Sequence, residues 1–311
     1  MKQKNVRRIM RVKPLYNLIK ASQQIVLPGF EGLSLYIVTK FFFKGIRNGT
    51  LNMRATSLAY SFFLALFPTV IFLFTLIPYI PIHDFKDRIF NYLQEVMPSA
   101  AFEATEDAIT DIIKNQRGGL LSIGFITALY FATNGFNAMI NSFNETYHEI
   151  ETRRPLQQRL VSLYMLFLTV LLISVSTTLL IFGEHGMSAL VSNSTGLFWI
   201  LSVLKWLLLG ALCYMIISFN YYLGPKSKKG WHFFSAGSMF ATVFIILATI
   251  GFTYYVNNFG KYNKIYGSIG TLIVIMTMIY INSLILLLGF DLNASIHTAK
   301  KQRELFNRQA K

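Results

Sequence analysis

Four ionisable residues stand in or against long apolar stretches of this sequence, where a charge is costly enough to need a reason. Arg54 immediately precedes the first stretch, Glu145 follows the second, Lys205 lies inside the fourth, and Asp291 ends the sixth. Arg54, Glu145 and Asp291 would share one membrane face. They form either a common electrostatic cluster that ties span ends together, or separate helix-end charges in the headgroup layer. Lys205 has three readings: snorkelling outward along its alkyl stem, a structural pair, or contact with an anionic group in a polar cavity.

A second pattern is made of amides. Asn134, Asn137, Asn141 and Asn144 recur at spacings of three, four and three, which is one face of a helix. Four amides turned to lipid would leave their donors and acceptors unpaired, so the stripe is expected to face protein or water. It either lines a pathway or zips two helices together. Tyr254 and Tyr266 belong at the outer interface, where tyrosine is enriched.

Signatures of enzymatic chemistry are missing. There is no HExxH, no GxSxG, no glycine-rich phosphate loop and no cysteine pair, Cys213 being the single cysteine. The histidines His83, His148, His185, His232 and His297 are scattered, and His148-Glu149 lacks a second histidine four residues on, which would leave zinc under-liganded. No catalytic residue, metal or cofactor is expected.

These residues must be positioned by membrane helices. The chain is 53% hydrophobic and 14% charged, and its apolar residues gather in blocks long enough for a helix to cross a ~30 Å hydrocarbon core. Six spans are read at about 56–80, 120–141, 161–183, 196–222, 233–256 and 268–290, within a membrane domain covering 33–294. Pro68 and Pro78 are expected to bend the first span. A basic segment, 1–32, precedes the domain and a basic tail, 295–311, follows it. Met1 to Lys20 has no apolar core of a cleavable signal, so the first span is expected to serve as a retained anchor.

Of the lysines and arginines, 22 fall before span 1, between spans 2 and 3, between 4 and 5 and after 6, against 6 in the other loops. Positive residues stay inside, so both termini are expected in the cytoplasm, which requires an even number of spans. The formal charge of +15 is thereby explained by topology rather than by nucleic acid.

Two further elements are expected. Leu33–Leu51 places Lys40, Lys44 and Arg47 on one helix face and aromatic residues on the other. Such a helix either lies in the interface on anionic lipid or packs against the cytoplasmic ends of the bundle, and the two are compatible. The loop 81–119, with seven acidic residues and apolar positions at helical spacing, reads as a small helical cap outside the bilayer.

With these residues in view, the chain resembles a known family. Span 1 runs from Arg54 through Leu58-Ala59-Tyr60 to Leu66-Phe67-Pro68. Span 2 leads into Asn144-Glu145-Thr146-Tyr147, then Arg153-Arg154-Pro155 and Arg159. Pro225, Trp231 and Ala236-Gly237 follow, then Tyr266-Gly267-Ser268-Ile269-Gly270, and Gly289-Phe290-Asp291-Leu292-Asn293 closes the last span. From about Phe41 to Ala294 this is similar to the YihY/BrkB family of bacterial inner-membrane proteins, once labelled ribonuclease BN. Asp291 departs from the glutamate more usual there, and Tyr280 from a common tryptophan.

The resemblance implies an all-α, six-span protein of the bacterial plasma membrane and little about activity. Tyr60 and Asn293 fall in its motifs and complete the pathway candidates, which are Arg54, Tyr60, Asn134, Asn137, Asn141, Asn144, Glu145, Lys205, Tyr254, Tyr266, Asp291 and Asn293. The function expected is a transporter or flippase-like protein for an amphiphilic or anionic envelope molecule such as a lipid. The alternative is a non-transporting scaffold for envelope-assembly partners, with an intramembrane enzyme or ribonuclease ranked last. The partners expected are anionic lipid headgroups at the cytoplasmic face and a second copy or envelope-assembly proteins.

Overall fold

The computed structural model describes residues 21–26, 29–47, 50–79, 115–146, 153–190, 195–226, 232–259 and 268–309, with helical positions at 87, 89–91, 94, 106–107 and 109–112. Most of the expected cap at 81–119 lies outside them, as do Met1–Lys20, His83, His148, Trp231 and Tyr266.

Among the described residues the long elements are α1 (Leu35–Arg47), α2 (Leu51–Leu76), α3 (Gly118–Thr146), α4 (Pro155–Leu190), α5 (Thr195–Leu223), α6 (Ala236–Phe259) and α7 (Ser268–Gln309). Helices α2 to α7 are each long and apolar enough to cross a membrane, and no strand occurs among the described residues. Their ends follow local chemistry. Pro155 opens α4 at the first helical position, where its missing N–H is no loss. Pro68 lies inside α2, whereas Pro78 falls in the 3-10 turn Ile77–Tyr79 that ends it. Ser235 caps α6 by accepting from the Ser238 N–H at 3.2 Å.

The six long helices form a closed ring. Each packs on its neighbour in chain order, and α7 returns to pack on α2 while also touching α3. We call proximal the end where α2, α4 and α6 begin and α3 and α5 finish. The main core cluster lies entirely there: Leu51, Ala55 and Leu58 of α2, Phe136, Met139, Ile140 and Phe143 of α3, Met165 of α4, Ile217 and Tyr221 of α5, Ala241 of α6, and Leu287 and Phe290 of α7. At its centre Phe143 stacks on Phe290 with ring centroids 4.0 Å apart, and Tyr221 stands edge-on to both. The buried Tyr221 hydroxyl donates to the Leu286 carbonyl, so this aromatic plug leaves no phenol unpaired.

Helix α7 has 42 residues, about 63 Å of helix at 1.5 Å per residue. It therefore runs well past a ~30 Å hydrocarbon core, and the tail read as separate from the membrane domain is its continuation. Helix α1 packs on that extension with its apolar face, through Leu33, Leu35, Val38 and Phe41 against Leu292, Ile296 and Ala299. Packing on the bundle covers part of its apolar side, and Ile37 and Phe43 stay exposed. The strap before it is fastened as well. The Glu31 carboxylate meets Lys300 Nζ at 2.6 Å and His232 Nε2 at 3.5 Å, and Arg303 donates to the Gly32 carbonyl at 3.2 Å.

One close approach sets how α6 and α7 pack. A Cβ on Gly237 would stand 2.0 Å from the Gly289 carbonyl oxygen, and one on Gly289 would stand 2.6 Å from that of Gly237. Backbone cannot yield as a flexible side chain can. Gly237→Ala is expected to cost roughly 1–3 kcal/mol, as overpacking does. Gly251 of the same helix has open space around it, so Gly251→Ala should be neutral or slightly stabilising. Thermal unfolding in detergent compares the two, and equal shifts would deny the contact its importance.

Candidate functional site

The polar groups of the proximal half gather into three clusters, each joining different helices. The first holds a charge pair. Arg54 on the first turn of α2 is 9% exposed and Asp291 on α7 is 5% exposed. The guanidinium meets the carboxylate through Nη2–Oδ2 at 3.2 Å and Nη1–Oδ1 at 3.5 Å. Helix α3 completes the shell: Arg54 also donates to the Ser142 carbonyl at 2.9 Å and to the Thr146 hydroxyl, which in turn donates to Asp291 Oδ1 at 2.8 Å. Among the described residues Arg54 Nε has no acceptor.

The second cluster lies between α3 and α4. Gln158 Nε2 donates to Asn137 Oδ1 at 2.5 Å and to Asn141 Oδ1 at 2.7 Å. Arg159 donates to Asn134 Oδ1 and, at 3.2 Å, to the Tyr130 carbonyl, with its guanidinium carbon 4.8 Å from the centroid of the Tyr130 ring. The amide stripe thus faces protein for three of its members, through one glutamine and one arginine of the next helix. Asn144 Nδ2 is buried with no acceptor among the described residues.

The third cluster fixes the start of α6. Asn293 Oδ1 accepts the Gly237 N–H at 2.7 Å and its Nδ2 donates to Ser235 Oγ at 2.8 Å. The first bond satisfies a helix-end donor of α6 from a neighbouring helix. Nearby, Arg153 closes the end of α5 by donating to the carbonyls of Leu223, Gly224 and Pro225. Cations suit a helix C-terminus, and burial pulls the Arg153 pKa below its usual value.

Other candidates stand apart from these clusters. Glu145 is exposed, and the contacts of the Arg54–Asp291 pair come from Ser142 and Thr146 instead. Tyr60 and Tyr254 are exposed, and Tyr266 lies outside the described residues. Lys205 is 7% exposed, with its ammonium 5.6 Å from the Trp206 ring centroid, so its stem does not lie along the outer surface. Among the described residues no three of His, Cys, Asp or Glu come together to hold a metal ion.

Ser142, Thr146, Arg153, Gln158 and Arg159 hold the clusters together and were not among the candidates. For Gln158 and Arg159 the missed signal is Pro155. A proline at the first helical position moves the start of α4 ahead of 161, which turns a loop arginine into a helix arginine.

Residues 42–311 match the family described as Virulence factor BrkB. The chain belongs to that family. It is 33% identical over 252 residues to the ribonuclease-like protein YfkH of Bacillus subtilis (strain 168), covering 80% of this chain and 90% of that one. It is 26% identical over 268 residues to the UPF0761 membrane protein NTHI0384 of Haemophilus influenzae (strain 86-028NP), covering 85% and 96%. A UPF0761 membrane protein of Vibrio campbellii (strain ATCC BAA-1116) is 23% identical over 276 residues, covering 87% and 84%. No solved structure matches the chain. This BrkB-family chain is therefore a membrane protein with several membrane-spanning helices. The match begins within α1 and takes in every helix that contributes to the three clusters.

The charge pair generates a thermodynamic expectation. Removing one member of a buried pair strands the other and costs about 3–5 kcal/mol, while replacing both by apolar residues is often near neutral. Arg54→Met and Asp291→Leu should each sharply lower the unfolding temperature, and the double variant should recover most of the loss. Additive losses would show that the two side chains act independently.

Proposed function

We propose that the protein moves an amphiphilic, anionic envelope molecule such as a lipid across the bilayer, as a transporter or flippase-like protein. One observation carries this reading: α2 and α3 pack along their length, but α4, α6 and α7 bury side chains only in the proximal half. Past Met165 on α4 as far as Leu180, past Thr242 on α6 as far as Val256, and from Leu272 to Asn282 on α7, no described residue is buried. A bundle built only to hold itself together would pack along its length. Here α4 to α7 leave their distal halves loosely joined above a dense plug.

The chemistry of that half suits such a cargo at both ends. Between Trp199 and Ile216, the one buried residue of α5 is Lys205, a positive charge inside the protein. A groove of about 310 Å³ between the distal parts of α6 and α7 is lined by Phe252, Thr253, Val256, Val274, Ile275, Met278 and Ile279. One feature suits a negative headgroup and the other an acyl chain. By the distribution of basic residues the proximal face is the cytoplasmic one. The plug of Phe143, Tyr221 and Phe290 would then bar passage on the cytoplasmic side, and its rearrangement would open it.

The test is transport in liposomes. Headgroup-labelled phosphatidylglycerol, phosphatidylethanolamine or cardiolipin, quenched from outside, should become accessible faster with the reconstituted protein than in empty vesicles. Phe143→Ala, which thins the plug, should speed that exchange several-fold. No acceleration for any of the three lipids, with the protein shown to be folded and inserted, removes the proposal.

A further inference from the structure

Arg159 differs from Arg54 in how its charge is met. It sits on α4 within a helix segment long and apolar enough to cross a membrane, yet its acceptors are all neutral: the Asn134 side-chain oxygen, the Tyr130 carbonyl and the Tyr130 ring. Among the described residues no carboxylate pairs with it. Arg54, by contrast, has Asp291. A guanidinium carries five N–H donors and stays charged, so these neutral partners satisfy part of its hydrogen bonding and none of its charge.

The surroundings supply more donors of the same kind. Gln158 occupies the oxygens of Asn137 and Asn141, which leaves their Nδ2 groups as donors with no acceptor among the described residues. Asn141 is exposed, Asn137, Gln158 and Arg159 are half-buried, and Tyr130 is exposed beside Arg159. The seam between α3 and α4 is therefore a partly exposed polar surface, and among the described residues the positive charge in it meets no carboxylate. A ligand that fits must bring negative charge and several acceptor oxygens while lying in the membrane.

We infer that this seam binds the phosphate headgroup of an anionic phospholipid, with Arg159 as the charge partner and Asn137 and Asn141 as additional donors. Phosphate accepts a guanidinium fork well, and a tyrosine such as Tyr130 beside a headgroup suits the interfacial layer. The inference rests on the transport reading for its purpose alone. Lipid bound here without translocation would keep the site and remove the transporter; translocation with no binding here would do the reverse.

Native mass spectrometry of the full-length protein tests it, with phosphatidylglycerol as probe, phosphatidylcholine as the uncharged comparison and glycerol 3-phosphate as the headgroup alone. The parent should retain phosphatidylglycerol in preference to phosphatidylcholine. Arg159→Gln should weaken that retention roughly tenfold, as expected for one charged hydrogen-bonded contact, without altering phosphatidylcholine. Arg159→Lys should fall between. Should Arg159→Gln fail to fold, Asn141→Ala decides, since it removes a donor from an exposed position and should weaken retention a few-fold. Unchanged phosphatidylglycerol retention in a folded Arg159→Gln or Asn141→Ala protein overturns the site. Glycerol 3-phosphate binding as tightly as the lipid overturns the lipid assignment.

Discussion

Arg54 and Asp291 lie 237 residues apart, and their pairing turns a row of consecutive helices into a ring. Neighbouring helices joined by loops would pack in chain order without help. Contact between the first and last long helices has no such help, and in a low-dielectric interior a guanidinium and a carboxylate each need the other. The third member is α3, whose Ser142 carbonyl and Thr146 hydroxyl add three more bonds to the pair. Three helix ends are thereby set at one level, because a shift of α7 by one turn, about 5.4 Å, would take Asp291 out of reach.

Dense packing follows from that closure and remains near it. Phe143 lies one residue beyond Ser142 and Phe290 one before Asp291, so the pairing that joins the helices also brings the two rings into their stack. On the far side of Phe290, Gly289 lets the α6 backbone approach, and Asn293 holds the first turn of α6 in register. One stretch of α7, Gly289 to Asn293, thus contacts α2, α3, α5 and α6 within five residues. Nothing comparable occurs in the distal half, where the described residues of α4, α6 and α7 leave no side chain buried. The asymmetry comes from where the polar contacts stand, since apolar surface alone gives little reason for helices to associate within lipid.

The six spans were legible because a helix that crosses hydrocarbon is almost alone in needing an apolar run of that length. Arg54 and Asp291 were legible as residues that need a reason, and the amide stripe as one that must face away from lipid. The grouping was not. Glu145 stands three residues from Ser142 and one from Thr146 in sequence, but a helix turns about 100° per residue, and only the Ser142 and Thr146 positions face the pair. Helix ends were the weaker part of the reading. Hydropathy marks where lipid ends and not where hydrogen bonding ends, so α7 continues through Lys300 and Arg303 while its apolar run stops near Phe290. For the same reason Gln158 and Arg159, counted as loop, belong to α4 and partner the stripe.

The two arginines show how one residue type serves two ends. Arg54 is buried against a carboxylate, so the cluster it belongs to is formally neutral, and its strength lies in geometry that a changed partner would disrupt. Arg159 lies at the edge of the ring with amide and carbonyl oxygens, which orient the guanidinium and leave its charge in place. Orientation without neutralisation is of little use for holding α3 to α4, since Gln158 already bridges them with uncharged bonds. The charge is therefore better understood through what approaches from the bilayer than through the helices it touches. On the proposed reading, closure at Arg54 and headgroup binding at Arg159 fall on different faces of α3, so occupying one site would leave the other undisturbed.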